Sequence, residues 1–265
     1  MEDQILLVQK KQNVCTLVLN RPQKRNALSP ELLVRLSRTL VELSRDDTIR
    51  TLVIRGAGDK AFSSGYDITA LPTNISPEIK KNLKDRIPFE SAIQHIVNYP
   101  YPVIAMLNGS AFGGACDLAV SCDIRIAVDD IRMGMVAAKI GLVYSPVGLR
   151  RFIQTIGLSS TKEIFFSART YDAAKLKELG LVDYLVPRPE LESFTYELAE
   201  DIAGNAPLSL RGIKRILNMV VGSETMRKED RQEADQLIEE AIRSEDLKEG
   251  QAAFIQKRRP LFKGK

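Results

Sequence analysis

Four short runs of aliphatic and β-branched residues, Val14 to Leu19, Thr51 to Ile54, Pro102 to Leu107 and Asp123 to Ala127, alternate with glycine-bearing turns and segments of helical spacing. That alternation admits few folds. Strands joined through helices must stack in layers, so the chain is predicted to be α/β. The first run ends in the turn Asn20-Arg21-Pro22. Ser29-Pro30-Glu31 then opens a helix, with Ser29 as N-cap and Pro30 at the first helical position. Leu33, Leu36, Leu40 and Leu43 recur every three or four residues and bury one face of it. The third run turns at Asn108-Gly109, and Gly113-Gly114 leads into a short apolar helix. Beyond about residue 190 the strand signals cease, and 190–205, 207–221, 224–243 and 246–258 read as helices. A boundary is expected near 195–205, dividing a core of 1–198 from a helical region of 199–265.

Composition narrows the chemistry. His95 is the single histidine, which removes Ser-His-Asp triads and His-rich metal sites. Its surroundings, Ser91 to Val97, make it a structural helix residue. Cys15, Cys116 and Cys122 are odd in number and lack C-x-x-C spacing, so they read as reduced, buried small hydrophobes. No metal site is expected. The net charge of +4 is spread over small clusters (Arg21/Lys24/Arg25, Lys80/Lys81/Lys84, Lys257/Arg258/Arg259) and forms no nucleic-acid stripe; each cluster reads as a solvated face, and a small polyanionic ligand would still profit from one or two of them. No run approaches the roughly 18 apolar residues of a membrane span. Met1-Glu2-Asp3-Gln4 lacks a basic-then-apolar signal pattern, so a cytoplasmic location is expected.

Gly56-Ala57-Gly58-Asp59-Lys60-Ala61 follows a strand and fits the dinucleotide pattern G-x-G-x-x-A. That pattern binds pyrophosphate only where the loop opens a helix. Phe62-Ser63-Ser64-Gly65-Tyr66 has no helical apolar spacing, and no strand ending in an acid follows about 20 residues later. Nicotinamide binding is therefore not expected.

Two glycine segments remain: Ala61-Phe62-Ser63-Ser64-Gly65-Tyr66-Asp67-Ile68, and Asn108-Gly109-Ser110-Ala111-Phe112-Gly113-Gly114-Ala115-Cys116-Asp117-Leu118-Ala119. Taken singly they could be ordinary loop glycines and a helix start. Together they resemble the two signature segments of the crotonase (enoyl-CoA hydratase/isomerase) family. Asn20-Arg21-Pro22 with Asn26-Ala27-Leu28, Pro102-Val103-Ile104-Ala105, Gly180-Leu181-Val182 and Phe254-Ile255-Gln256-Lys257-Arg258 extend the resemblance, in order, from about residue 5 to 263. It implies a spiral of repeated ββα units with a helical C-terminal oligomerisation region, assembling as a homotrimer or a dimer of trimers. It also implies an acyl-coenzyme A substrate, with coenzyme A present only as part of that substrate and no separate bound cofactor.

By the same resemblance, the backbone N–H groups of Tyr66 and Gly114 form an oxyanion hole. The physical requirement agrees: chemistry alpha to a thioester puts negative charge on its oxygen, and preorganised N–H donors at a helix N-terminus stabilise it. Ser64, Gly65, Tyr66, Asp67 and Ile68 are implied to contact coenzyme A, and Lys257 to meet its phosphate from the same or a neighbouring subunit. Arg25 is either a further phosphate contact or a solvated side chain.

The reaction is read from departures. Hydratases of the family use two glutamates; here Asp117 holds the first position and Ala137 the second. Alanine transfers no proton, so hydration and isomerisation are disfavoured. Segments 65–72, Gly141-Leu142-Val143-Tyr144 and Ser244-Glu245-Asp246 through Lys257-Arg258-Arg259-Pro260 are similar to decarboxylating members of the family, with Tyr144 at an active-site tyrosine position and Tyr66 replacing a histidine. The resemblance leaves three readings: decarboxylation of a malonyl-type thioester, another reaction of the family (hydratase-like with Asp117 as the single acid, or a thioester lyase or hydrolase), and a non-catalytic acyl-CoA-binding protein of this fold. Decarboxylation needs no base. It needs an oxyanion hole, and an apolar wall from Val136, Ala137 and Ala138 would favour neutral CO₂. Tyr144 either orients the carboxylate or supplies a proton, or is a packed core residue. Asp117 is either catalytic or a first-turn acid complementing the helix dipole.

Overall fold

The computed structural model describes residues 5–67, 88–222 and 228–262. The four predicted strand runs appear as β2 (Val14–Leu19), β3 (Thr51–Gly56), β5 (Val103–Leu107) and β7 (Ile124–Val128). They lie in one six-stranded sheet of order β1-β2-β3-β5-β7-β10, with β1 at Leu6–Lys11 and β10 at Tyr184–Val186. All pairs are parallel except β1 with β2. Parallel strands covered on both faces need near-continuous apolar sequence, which is why these runs were legible. Val103 to Leu107 is buried at every position. The edge strand β1 instead ends in exposed Gln9, Lys10 and Lys11, and the two lysine charges discourage pairing with another chain.

A second sheet, in the order β4-β6-β8-β9, is made of very short strands: β4 (Ala61–Ser63), β6 (Ser110–Phe112), β8 (Arg132–Gly134) and β9 (Tyr171–Asp172). None is visible in the sequence pattern, because two or three residues carry no periodicity. Their arrangement explains the topology. β3 then β4, β5 then β6, and β7 then β8 each place one strand in each sheet before the chain enters a helix. This is the repeated ββα spiral expected above.

The helices on this frame are α1 (Pro30–Leu43), α2 (Pro88–Val97), α3 (Gly114–Val120), α4 (Pro146–Ser167), α5 (Ala173–Glu178), α6 (Leu191–Gly204), α7 (Pro207–Gly222), α8 (Lys228–Arg243) and α9 (Glu245–Ile255). The Ser29 hydroxyl accepts from Leu32 N–H, as its N-cap role requires. α4 is interrupted by a non-helical Gly157. The boundary expected at 198/199 falls inside α6, a continuous helix packed on β2, β3, β5 and β7. The end of this helix, Gly204, still lies within the 195–205 range expected for the boundary.

α9 folds back onto the 3-10 turn Ala137–Ile140. A Cβ on Gly250 would lie 2.7 Å from the Ile140 backbone, and one on Gly141 3.0 Å from Asp246 C. No helix among the described residues is long and apolar enough to cross a membrane. His95 accepts or donates a 2.6 Å hydrogen bond with Ser37 Oγ between α2 and α1, the structural role expected of it. The three cysteines are free and buried.

Candidate active site

β4, β6 and β8 run parallel, with Ala61 opposite Ser110, Ala111 opposite Met133 and Phe112 opposite Gly134. Their carboxyl ends therefore deliver segments 64–66, 113–114 and 135–137 side by side, the usual place for a site in parallel sheets. Gly113 adopts φ 53°, ψ −120° and turns β6 into α3, a conformation that a side chain would strain. Its N–H is held by Gly134 O at 2.9 Å. Leu28 N–H donates to Gly65 O at 2.8 Å, and Asp67 N–H to Leu28 O at 3.1 Å. In that parallel bridge the N–H of Tyr66 faces away from Leu28.

Two glycines then allow the segments to touch. A Cβ on Gly65 would lie 2.4 Å from Phe112 O and 3.2 Å from Gly114 N; one on Gly114 would lie 3.3 Å from Tyr66 N. The Tyr66 and Gly114 amides are thus neighbours, and neither donates to an acceptor among the described residues. Gly114 is the first residue of α3, so its N–H has no intrahelical acceptor. The ring of Phe89, from α2, closes this space, with Cε2 3.0 Å from the Gly114 Cβ position and an edge-on contact to Tyr66.

One turn along α3, Asp117 is fully buried. Arg151 of α4 reaches it twice, Nε to Oδ1 at 2.8 Å and Nη2 to Oδ2 at 2.9 Å. The same guanidinium donates Nη1 to Glu90 Oε1 at 2.7 Å and Nη2 to Oε2 at 3.1 Å. Burial opposes charge on Arg151, but these hydrogen bonds and anions win and hold its proton more tightly than usual. Tyr144 donates its hydroxyl to Asp117 Oδ2 at 2.7 Å. Burial, then the Asp117 charge and this hydrogen bond, push the phenol well above its ordinary pKa. Its ring stacks edge-on with Phe152 and Phe165, and Gly148 makes room for it: a Cβ there would sit 2.4 Å from Cε1.

The sequence matches the model of the family described as "Enoyl-CoA hydratase/isomerase" over residues 9–265. The chain belongs to the enoyl-CoA hydratase/isomerase (crotonase) family. Within it, a Bacillus subtilis protein named putative enoyl-CoA hydratase/isomerase YngF is 33% identical over the full length of both chains. Methylmalonyl-CoA decarboxylase of Escherichia coli is 31% identical over 95% of each. A solved structure of methylmalonyl-CoA decarboxylase in complex with 2-nitronate-propionyl-CoA superposes with TM-score 0.91, at 31% identity, over 99% of each chain.

In this crotonase-family chain the other predicted site residues lie at varying depth. Ser64 is exposed at the end of β4, and its N–H donates to Arg25 O at 2.9 Å, so the Lys24-Arg25 turn lies beside it. Val136 flanks Gly113, its Cγ2 3.6 Å from the Cβ position there, and Ala137 is buried next to it. Ala138, expected in the same wall, is exposed, because the 3-10 turn points it away from the core. Asp67 faces Arg21, whose Nη1 and Nη2 lie 3.4 Å from Oδ2. Lys257 is exposed just beyond α9, with φ 53°. Ile68 lies outside the described residues. The segment after Gly56 runs into β4 and not into a helix. Arg151, Glu90, Phe89 and Gly148 were missed in the sequence.

Proposed function

We propose that the protein binds an acyl-CoA thioester and releases CO₂ from a malonyl-type acyl group, methylmalonyl-CoA being the favoured substrate. The observation that carries this reading is the contrast between two free neighbouring amides and an Asp117 carboxylate whose oxygens are both engaged. With alanine at 137, no free carboxylate faces the amides from the positions that serve hydration, and the oxyanion donors remain.

In the proposed reaction the thioester oxygen accepts from Tyr66 N–H and Gly114 N–H. The bond between the alpha carbon and the carboxylate breaks, its electron pair forms the enolate, and CO₂ leaves. The thioester carbonyl is itself the electron sink, so coenzyme A enters as part of the substrate. Val136, Ala137 and Phe89 supply the apolar surroundings that favour CO₂ over carboxylate. Tyr144 has its only hydroxyl proton committed to Asp117, so solvent supplies the proton that completes the product. On this reading Tyr144 neither orients the carboxylate nor donates the proton while that bond stands, and of the roles expected for it the packed core residue is the one favoured.

The helical region presents exposed Leu208, Ile213, Ile216 and Leu217 on α7, an apolar patch that supports a homotrimer or a dimer of trimers. Incubation with methylmalonyl-CoA and, separately, crotonyl-CoA tests the reaction. Propionyl-CoA and CO₂ from the first are expected. Loss of the enoyl absorbance with no CO₂ release would replace decarboxylation with hydration, the activity in the name of the 30% identical short-chain-enoyl-CoA hydratase of Clostridium acetobutylicum.

A further inference from the structure

Building on the decarboxylation reading, we infer that Glu90 is a positioning and specificity residue: it caps the Arg151 guanidinium and keeps that cation from binding the substrate's free carboxylate. Arg151 holds Asp117, which lies one helical turn from Gly114 on α3, and Phe89, next to Glu90, packs against Gly114. On this inference the acyl group of a substrate held at Gly114 lies on the side of this guanidinium.

The two carboxylates on Arg151 are not equivalent. The Asp117 side chain is 1% exposed and the Glu90 side chain 36% exposed, so Glu90 is the one a ligand anion could displace. With both in place the cluster carries two negative charges against one positive, and it repels a third carboxylate. Chemistry gives this repulsion a purpose. A carboxylate gripped by a bidentate guanidinium is stabilised before reaction, and that stabilisation is lost as it becomes neutral CO₂. An uncapped Arg151 would bind the substrate better and turn it over worse.

The test uses the full-length protein and its Glu90→Gln variant, with two thioethers that cannot form an enolate: 2-carboxypropyl-CoA and propyl-CoA. Calorimetry should show the variant binding the carboxylated thioether about tenfold more tightly than wild type, with propyl-CoA unchanged. With methylmalonyl-CoA, KM and kcat should fall together. Glu90→Ala should behave the same way, and both variants should keep the wild-type unfolding midpoint to within a few degrees because the side chain is partly solvated. Equal affinities in variant and wild type, or parallel weakening of both thioethers, would overturn the inference. If wild-type protein releases no CO₂ from methylmalonyl-CoA, the decarboxylase reading fails on its own, and the calorimetric comparison still decides whether Glu90 screens Arg151.

Discussion

Arg151 holds Asp117 by two parallel bonds, Nε to Oδ1 at 2.8 Å and Nη2 to Oδ2 at 2.9 Å, with only 10% and 1% of the two side chains exposed. An ion pair this buried is costly to break from one side, because the remaining charge has no water to solvate it. Arg151→Met should therefore destabilise the protein by about 3–5 kcal/mol. Urea unfolding measures this, and a loss under about 1 kcal/mol would mean that solvent reaches Asp117.

Tyr144 is fixed from two sides, by its bond to Asp117 and by contact with Gly148. Tyr144→Phe keeps the ring and removes a bond that anchors Asp117, on the helix that begins at Gly114, so kcat should fall more than the affinity for acyl-CoA. Gly148→Ala forces the ring away and should lower kcat in the same direction, at a stability cost of about 1–3 kcal/mol. Steady-state kinetics on the two variants check this. Unchanged turnover in Tyr144→Phe would mean that the bond to Asp117 does not help to hold the site in place.

The predicted features that held are those written into local pattern. β2, β3, β5 and β7 are apolar on both faces, and α1 carries its cap at Ser29. Gly65, Gly113 and Gly114 were legible because close backbone approach demands glycine. The second sheet was not, since its strands exist through pairing with neighbours and not through side-chain alternation. Nor was the Glu90–Arg151–Asp117–Tyr144 cluster. Ser145-Pro146 is a readable helix start, and Arg151 follows in the second turn, but no local signal says which acid that arginine meets. Tertiary folding alone joins α2, α3 and α4 at this point.

Burial raises the thiols of Cys116 and Cys122 from an ordinary 9.0 to about 12. The folded protein thus keeps these protons while the unfolded chain releases them. Their contribution to stability is complete below pH 9 and is lost as pH rises toward 12, by up to about 1.4 kcal/mol per pH unit for each thiol. Urea midpoints at pH 8 and 10.5 should show the fall, and the Cys116→Ala/Cys122→Ala variant should show a shallower one. Identical slopes in the two proteins would contradict the burial account.

The exposed apolar face of α7 predicts self-association. Ile216→Glu, at a residue 60% exposed, should shift the protein toward monomer in sedimentation, with its secondary structure intact. A wild-type protein that sediments as a monomer would remove that role from α7.

The central claim concerns where a thioester oxygen sits. A crystal structure with propionyl-CoA, which has no carboxylate to lose, measures it directly. The oxygen should lie about 2.7–3.1 Å from both the Tyr66 and Gly114 amide nitrogens. A bound thioester whose oxygen meets neither amide, or meets only one of them, would contradict the account.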